Sequence, residues 1–425
     1  MKNTFKKIVS ILLCFMLTIP MVSLFACGSS ADLKIYNCYE YIDESLVEAF
    51  EQEYDVKVEY TCFDTPEDCY NKINMGSKYD LICPSDYMIE KMAREDMLEE
   101  IILPENGAYR QNVSPYIDNV FKSITWQNNG TTKSLYNYAA GYMWGTLGLV
   151  YNSNNVNESE VTSWSSLWNT NKTFSVKDSV RDTYFICLAK KYNSELISLK
   201  NQFQNSEITL ETYQNNLKAK FNDTSETTVQ SVETILRDLC DKALALEVDD
   251  GKDRIIRGET DIYFAWSGDA VYAISEALDQ DISLKYSVPE EGSNVWFDGW
   301  CVPKGAQNKD LALKFIDFIS RPENVAQNME YIGYVSCVGG SDVFNWVVDT
   351  YSSTTGTEID LNYFFKGASD TNDYKITVDL NSVDGIMFSA QYPAKNIIDR
   401  CVVMNYFPSE DNERIVNMWM DITSN

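Results

Sequence analysis

Short apolar runs and stretches of helical period alternate along the chain from Leu33 onward. Leu33, Ile35 and Tyr36 predict a strand over 33–36. After a turn, Asp43 is placed to cap a helix whose Leu46, Val47, Phe50 and Tyr54 recur on one face. Val56, Val58 and Tyr60 alternate as in a strand, 66–75 predicts a second helix, and 79–83 a further strand. Strand, helix, strand, helix, strand is the opening of a parallel sheet with helices on its faces. Ligands of such sheets lie beyond the carboxyl ends of the strands, which marks 37–41 and 84–87 as edges of a pocket.

Further along, the apolar, glycine-studded run at 141–152 reads as a hinge where the chain crosses between lobes. A strand at 173–176 leads to a helix at 181–192, and 193–245, rich in Lys, Glu, Asn and Gln, predicts a solvated helical excursion. Another strand, 262–266, runs into Ser267-Gly268-Asp269 and a helix reaching Leu278; 284–289 and 295–303 are further strands. Leu311, Phe315, Phe318 and Ile319 line one face of a helix stopped by Pro322, and 339–400 is turn-rich and weakly patterned. At 425 residues the chain exceeds one ordinary hydrophobic core, so two lobes are expected.

The N-terminus changes the picture. Lys2, Lys6 and Lys7 precede an apolar run over 8–18, and then comes Leu24-Phe25-Ala26-Cys27: basic, apolar, small, as in a secretory leader. A cysteine after a small residue resembles a bacterial lipobox, although Phe25 is atypical of it. The expectation is a signal peptide over 1–26, a lipidated tether over 27–31 beginning at Cys27, and export to the outer face of the cytoplasmic membrane.

The formal charge of −28 argues against nucleic acid or an anionic membrane surface as partner. The sequence contains no histidine, which excludes Ser-His-Asp and Cys-His catalysis and His-ligated zinc. Beyond Cys14 and Cys27, the cysteines at 38, 62, 69, 83, 187, 240, 301, 337 and 401 include no C-x-x-C pair, so no metal site, cofactor or disulfide is inferred.

Five segments place acids and aromatic rings at or beside strand ends: Asn37-Cys38-Tyr39-Glu40-Tyr41, Pro84-Ser85-Asp86-Tyr87, Asp178-Ser179-Val180-Arg181-Asp182, Trp266-Ser267-Gly268-Asp269 and Trp296-Phe297-Asp298-Gly299-Trp300. Aromatic faces attract cations, and a desolvated carboxylate forms strong charge-assisted hydrogen bonds, so the combination suits a flexible aliphatic amine. Each segment also has a purely structural reading. Trp266 and Trp296 fit a core, and Asp178 and Asp182 fit helix caps or partners of Arg181. A carboxylate pair such as Asp178 and Asp182 fits a secreted glycosidase as well.

As an ordered set, these segments, with Tyr79-Asp80-Leu81-Ile82-Cys83, the 161–168 stretch and Tyr331-Ile332-Gly333-Tyr334, resemble the spermidine/putrescine-binding proteins of bacterial polyamine importers over about 33–340. The resemblance implies an α/β, two-lobed periplasmic-binding-protein fold, each lobe a mixed, mostly parallel sheet flanked by helices, with the ligand in the cleft between them. The first lobe would comprise 32–140 with about 297–342, and the second 141–296 with about 343–425. It implies a monomeric, non-enzymatic protein that takes putrescine and/or spermidine and delivers it to the permease subunits of an ABC transporter. Carried over by position, Asp298 would grip an internal or terminal amine and Asp182 the opposite terminal amine, with Asp178 and Glu40 assisting. Trp266, Trp296, Tyr41, Tyr87 and Tyr334 would box the methylenes, and Ser85 would offer its hydroxyl. Cys38 stands where the family commonly has tryptophan, which leaves the polyamine's length open. An amino acid, a sugar or ferric iron are the alternative solutes. Binding is expected to fade at strongly acid pH, when carboxylates with reference pKa near ~4 protonate, with no histidine step.

Overall fold

The computed structural model describes residues 31–248, 250–368 and 370–424; the expected leader over 1–26 and Cys27 lie outside them. The expected opening is present: Leu33–Cys38 lies between Val58–Phe63 and Leu81–Ile82, parallel to both. Helix Glu44–Tyr54 is capped by the Asp43 carboxylate, which accepts from Ser45 N–H, and it buries Leu46, Val47 and Phe50. Helix Pro66–Asn74 starts with proline in its first turn, where no hydrogen bond is lost, and Thr65 caps it.

From Leu81–Ile82 the sheet continues through Ser293–Cys301 to Ala139–Asn152, a 14-residue strand buried along its whole length. Up to Thr146 this long strand pairs with 295–301 and Val335–Ser336; from Leu147 it pairs with Ile262–Trp266 and Leu284–Ser287. Beyond Ile262–Trp266 lie Phe174–Lys177 and Ala245–Glu247, both parallel to their neighbours. The glycines that read as a hinge therefore sit inside one continuous strand, where they make room for side chains. A Cβ at Gly145 would meet Ser267 Oγ at 2.5 Å and the Trp296 ring at 2.6 Å, and one at Gly148 the Tyr286 ring at 2.4 Å.

Buried side chains form two large clusters that change over along this strand: Trp144 belongs to the first and Leu147 to the second. The excursion at 193–245 is helical, as Asn193–Gln204, Leu210–Phe221 and Glu226–Lys242, but its apolar face is core. Leu217, Phe221, Val232, Leu236 and Leu239 are fully buried in the second cluster. The tail divides. Helix Gly340–Tyr351 follows closely on strand Val335–Ser336, which is paired to the first half of the long strand, so Val343 and Val347 join the first cluster. Phe364, Phe365 and Phe388 do the same, and only Val402 through helix Ser409–Thr423 reaches the second. Among the described residues no helix is long and apolar enough to cross a membrane.

Candidate functional site

The site forms where strand ends of the two clusters face each other. On the first-cluster side, the pairing of Ser293–Cys301 with the long strand slips between Phe297 and Gly299, leaving Asp298 on a bulge. Bulges re-aim side chains, and this one turns Asp298 toward Ser85, with which it forms a β-bridge, and toward Tyr41. Tyr41 O–H donates to Asp298 Oδ2 at 2.6 Å, and the Ser85 side chain is a second partner. Tyr41 is fixed in turn: its carbonyl accepts from Tyr142 O–H at 2.6 Å, whose oxygen accepts from Asn328 at 2.8 Å. Asp298 is 9% exposed, and burial pushes its carboxyl up to about 6 against the two hydrogen bonds, with the Asp182 charge adding to the rise.

Asp86 lies alongside. Its carboxylate accepts from the backbone N–H groups of Tyr87 at 2.5 Å and Phe297 at 3.1 Å, clamping its helix to the bulged strand. Burial, opposed by the Arg181 charge and aided by that of Asp298, pushes Asp86 up to about 8. Asp86 stood within a segment that the sequence singled out, yet was given no role there. An acid at a helix start reads as a cap, and only the fold shows it beside a second buried carboxylate.

On the second-cluster side, Ser179 caps helix Val180–Lys191, accepting from Asp182 N–H at 3.3 Å while its hydroxyl donates to Asp182 Oδ2 at 3.0 Å. Trp266 Nε1–H donates to the same oxygen at 2.9 Å. Burial raises the Asp182 carboxyl above its ordinary value, against these hydrogen bonds and the charges of Arg181 and Lys177. Tyr87 faces the Arg181 guanidinium at 3.9 Å and donates its hydroxyl to Glu67 at 2.9 Å.

Tyr334 joins the two sides. Its ring packs edge-to-face on Tyr41 (5.3 Å between centroids) and Trp296 (5.7 Å), while its hydroxyl donates to Asp269 at 2.9 Å. This approach needs Gly268, where a Cβ would lie 2.4 Å from the Tyr334 ring. Two expected residues stand apart from this group. Glu40, at a left-handed φ of 50°, has its side chain 66% exposed and lies 3.8 Å from Lys252. Asp178 is exposed and contributes its backbone N–H to Glu247.

Sequence reading passed over Lys177. Its Nζ donates to Asp269 Oδ2 at 2.5 Å and to the Val248 carbonyl at 3.0 Å, and sits 3.7 Å from the centroid of Trp266. A lysine closing the otherwise buried strand Phe174–Lys177 was the available signal. Burial disfavours the Asp269 anion, but the charges of Lys177 and Lys252 outweigh it and hold that carboxyl below its ordinary value.

A two-lobed α/β fold with acids and aromatic rings gathered between its lobes is the architecture of periplasmic binding proteins. The family model for bacterial extracellular solute-binding proteins matches residues 45–343, and the chain belongs to that family. The spermidine/putrescine-binding periplasmic protein of Escherichia coli (strain K12) is 27% identical over 306 residues, covering 71% of this chain and 76% of its own length. A putrescine-binding periplasmic protein of the same organism is 25% identical over 312 residues, with coverage of 72% and 77%. Among solved structures, the spermidine/putrescine ABC transporter substrate-binding protein of Streptococcus pneumoniae matches with a TM-score of 0.62 at 25% identity, over 93% of this chain and 99% of that one.

Proposed function

We propose that this protein is the exported, monomeric substrate-binding component of an ABC importer for polyamines, that it catalyses no reaction, and that it is held at the membrane by lipid on Cys27. Lobe closure around the ligand would present the form that the permease recognises. One observation carries the reading: Asp298 is desolvated inside an aromatic frame and, among the described residues, has no ion-pair partner. A buried carboxylate without a cation is costly, and an ammonium ligand would relieve that cost. The aromatic frame also suits a sugar, but a sugar brings no charge to Asp298. The glycosidase alternative loses its carboxylate pair, because Asp178 is exposed while Asp182 is engaged by Trp266 and Ser179. Calorimetric titration with putrescine, spermidine and spermine, with arginine and maltose as controls, tests the reading. Saturable heat with at least one polyamine and none with maltose is expected, and no heat with any polyamine at millimolar concentration refutes it.

Burial of the acids changes the expected pH dependence. An unperturbed aspartate titrates near ~4, whereas Asp298 and Asp86 are pushed up to about 6 and about 8. Between those values the folded protein holds more protons than the unfolded chain, so the stability of the ligand-free protein falls as pH rises through this window. Binding of a cation has the opposite sense, since it favours the ionised acids. Polyamine affinity therefore rises as pH climbs through about 6, by up to roughly tenfold per unit below it, and binding at pH 6 releases protons. Calorimetry at pH 5, 6, 7 and 8 in buffers of different ionisation enthalpy reads both. A flat affinity from pH 5 to 7 would show that Asp298 is already ionised in the free protein.

For the anchor, expression of the full chain in a bacterium fed an alkyne-tagged fatty acid should label the wild type, while Cys27→Ser is unlabelled and leaves the membrane fraction. Equal membrane retention of the two removes the lipid from the proposal.

A further inference from the structure

An ammonium-binding position needs an aromatic face, a carboxylate and further oxygen acceptors. The cleft contains one such position already filled, by the chain itself. Lys177 Nζ has the Trp266 ring at 3.7 Å, Asp269 Oδ2 at 2.5 Å and the Val248 carbonyl at 3.0 Å, and its side chain is 1% exposed. Tyr334, from the opposite side of the cleft, completes the environment of Asp269. At the rim, Lys252 lies 3.8 Å from Glu40 and its charge also reaches Asp269. The carboxylates gathered at this end are thus matched by internal lysines. Asp298 and Asp182, one on each side, are left without an ion-pair partner among the described residues, and the charge of Asp182 is felt at Asp298.

We infer that Lys177, supported by Lys252, supplies from within the chain the ammonium that a longer polyamine would bring, so that the cleft selects a linear aliphatic diamine over a triamine. The inference rests on the polyamine reading and narrows it. A diamine places one ammonium at Asp298 and one at Asp182. A third ammonium would meet the positive charge of Lys177 or would have to break a buried ion pair, which is strongly unfavourable when the freed partner stays buried.

Calorimetric Kd values for putrescine and spermidine, measured on the wild type, Lys177→Met and the double variant Lys177→Met/Asp269→Asn, test this. The wild type should bind putrescine at least about tenfold more tightly than spermidine. Lys177→Met frees Asp269 and the Trp266 face, so the ratio should shift toward spermidine by at least about fivefold. The double variant, which removes both charges, should not gain spermidine affinity. Wild-type protein that binds spermidine as tightly as putrescine overturns the inference, as does an unchanged ratio in a folded Lys177→Met. If that variant fails to fold, the wild-type ratio decides alone. Absence of binding to either amine overturns the polyamine reading instead, so the two failures are told apart.

Discussion

Asp298→Asn should lower polyamine affinity by at least about 30-fold, about 2 kcal/mol, while leaving the ligand-free protein as stable as the wild type or more so at pH 8. The two effects have one cause. Ionised Asp298 is desolvated, with Tyr41 and Ser85 as its hydrogen-bonding partners and no ion-pair partner among the described residues. Asparagine keeps the shape and can still accept from Tyr41, so the Tyr41–Tyr142–Asn328 chain behind it should persist. What is lost is the charge that an ammonium would neutralise, and with it the cost of holding that charge in the empty protein. Calorimetry and thermal melts with and without putrescine separate the terms. Affinity within threefold of wild type would move the amine away from Asp298. A large drop in ligand-free stability would mean that Asp298 acts through the fold.

Trp266→Ala should weaken binding by more than about tenfold, about 1.4 kcal/mol, and Trp266→Phe by less. The indole does two things: its N–H holds Asp182, and its face carries the Lys177 ammonium. Phenylalanine keeps a face for the cation and gives up the hydrogen bond. Alanine gives up both, leaving Asp182 with the Ser179 hydrogen bond and a void over the buried Lys177–Asp269 pair. Binding by Trp266→Ala at wild-type strength would exclude the ring from the site. Equal losses in the two variants would assign its contribution to the hydrogen bond with Asp182.

Much of the scaffold was legible because its signals are local. Apolar alternation, helical spacing, the Asp43 cap and Pro66 in a first turn act within a few residues, and the opening β-α-β-α-β follows from them. Of the ordered acid and aromatic segments, those carrying Tyr41, Ser85 and Asp298 do come together at strand ends, where such folds place ligands. The packing role of the glycines in 141–152 was not legible, because glycine that makes room in a strand and glycine that loosens a loop look alike in one dimension. Only the approach of Trp296 and Tyr286 shows that these glycines admit rings within a strand along which the core changes over. The excursion at 193–245 was read as solvated because its polar majority hides a stripe whose partner helix, Ser409–Thr423, lies far along the chain.

Sequence by itself determined the class of fold, the exclusion of histidine chemistry and the pool of carboxylates and rings from which a site for a cation could be built. Tertiary structure alone decided which members of that pool act together. Asp298 and Asp178 are equal as letters, but one is stripped of water on a bulge and the other faces solvent. The partner of Asp298 is Tyr41, 257 positions away, and that of Lys177 is Asp269, 92 positions away. Desolvation and charge pairing depend on what surrounds a group in space, and contacts at that separation leave no periodic trace in the sequence.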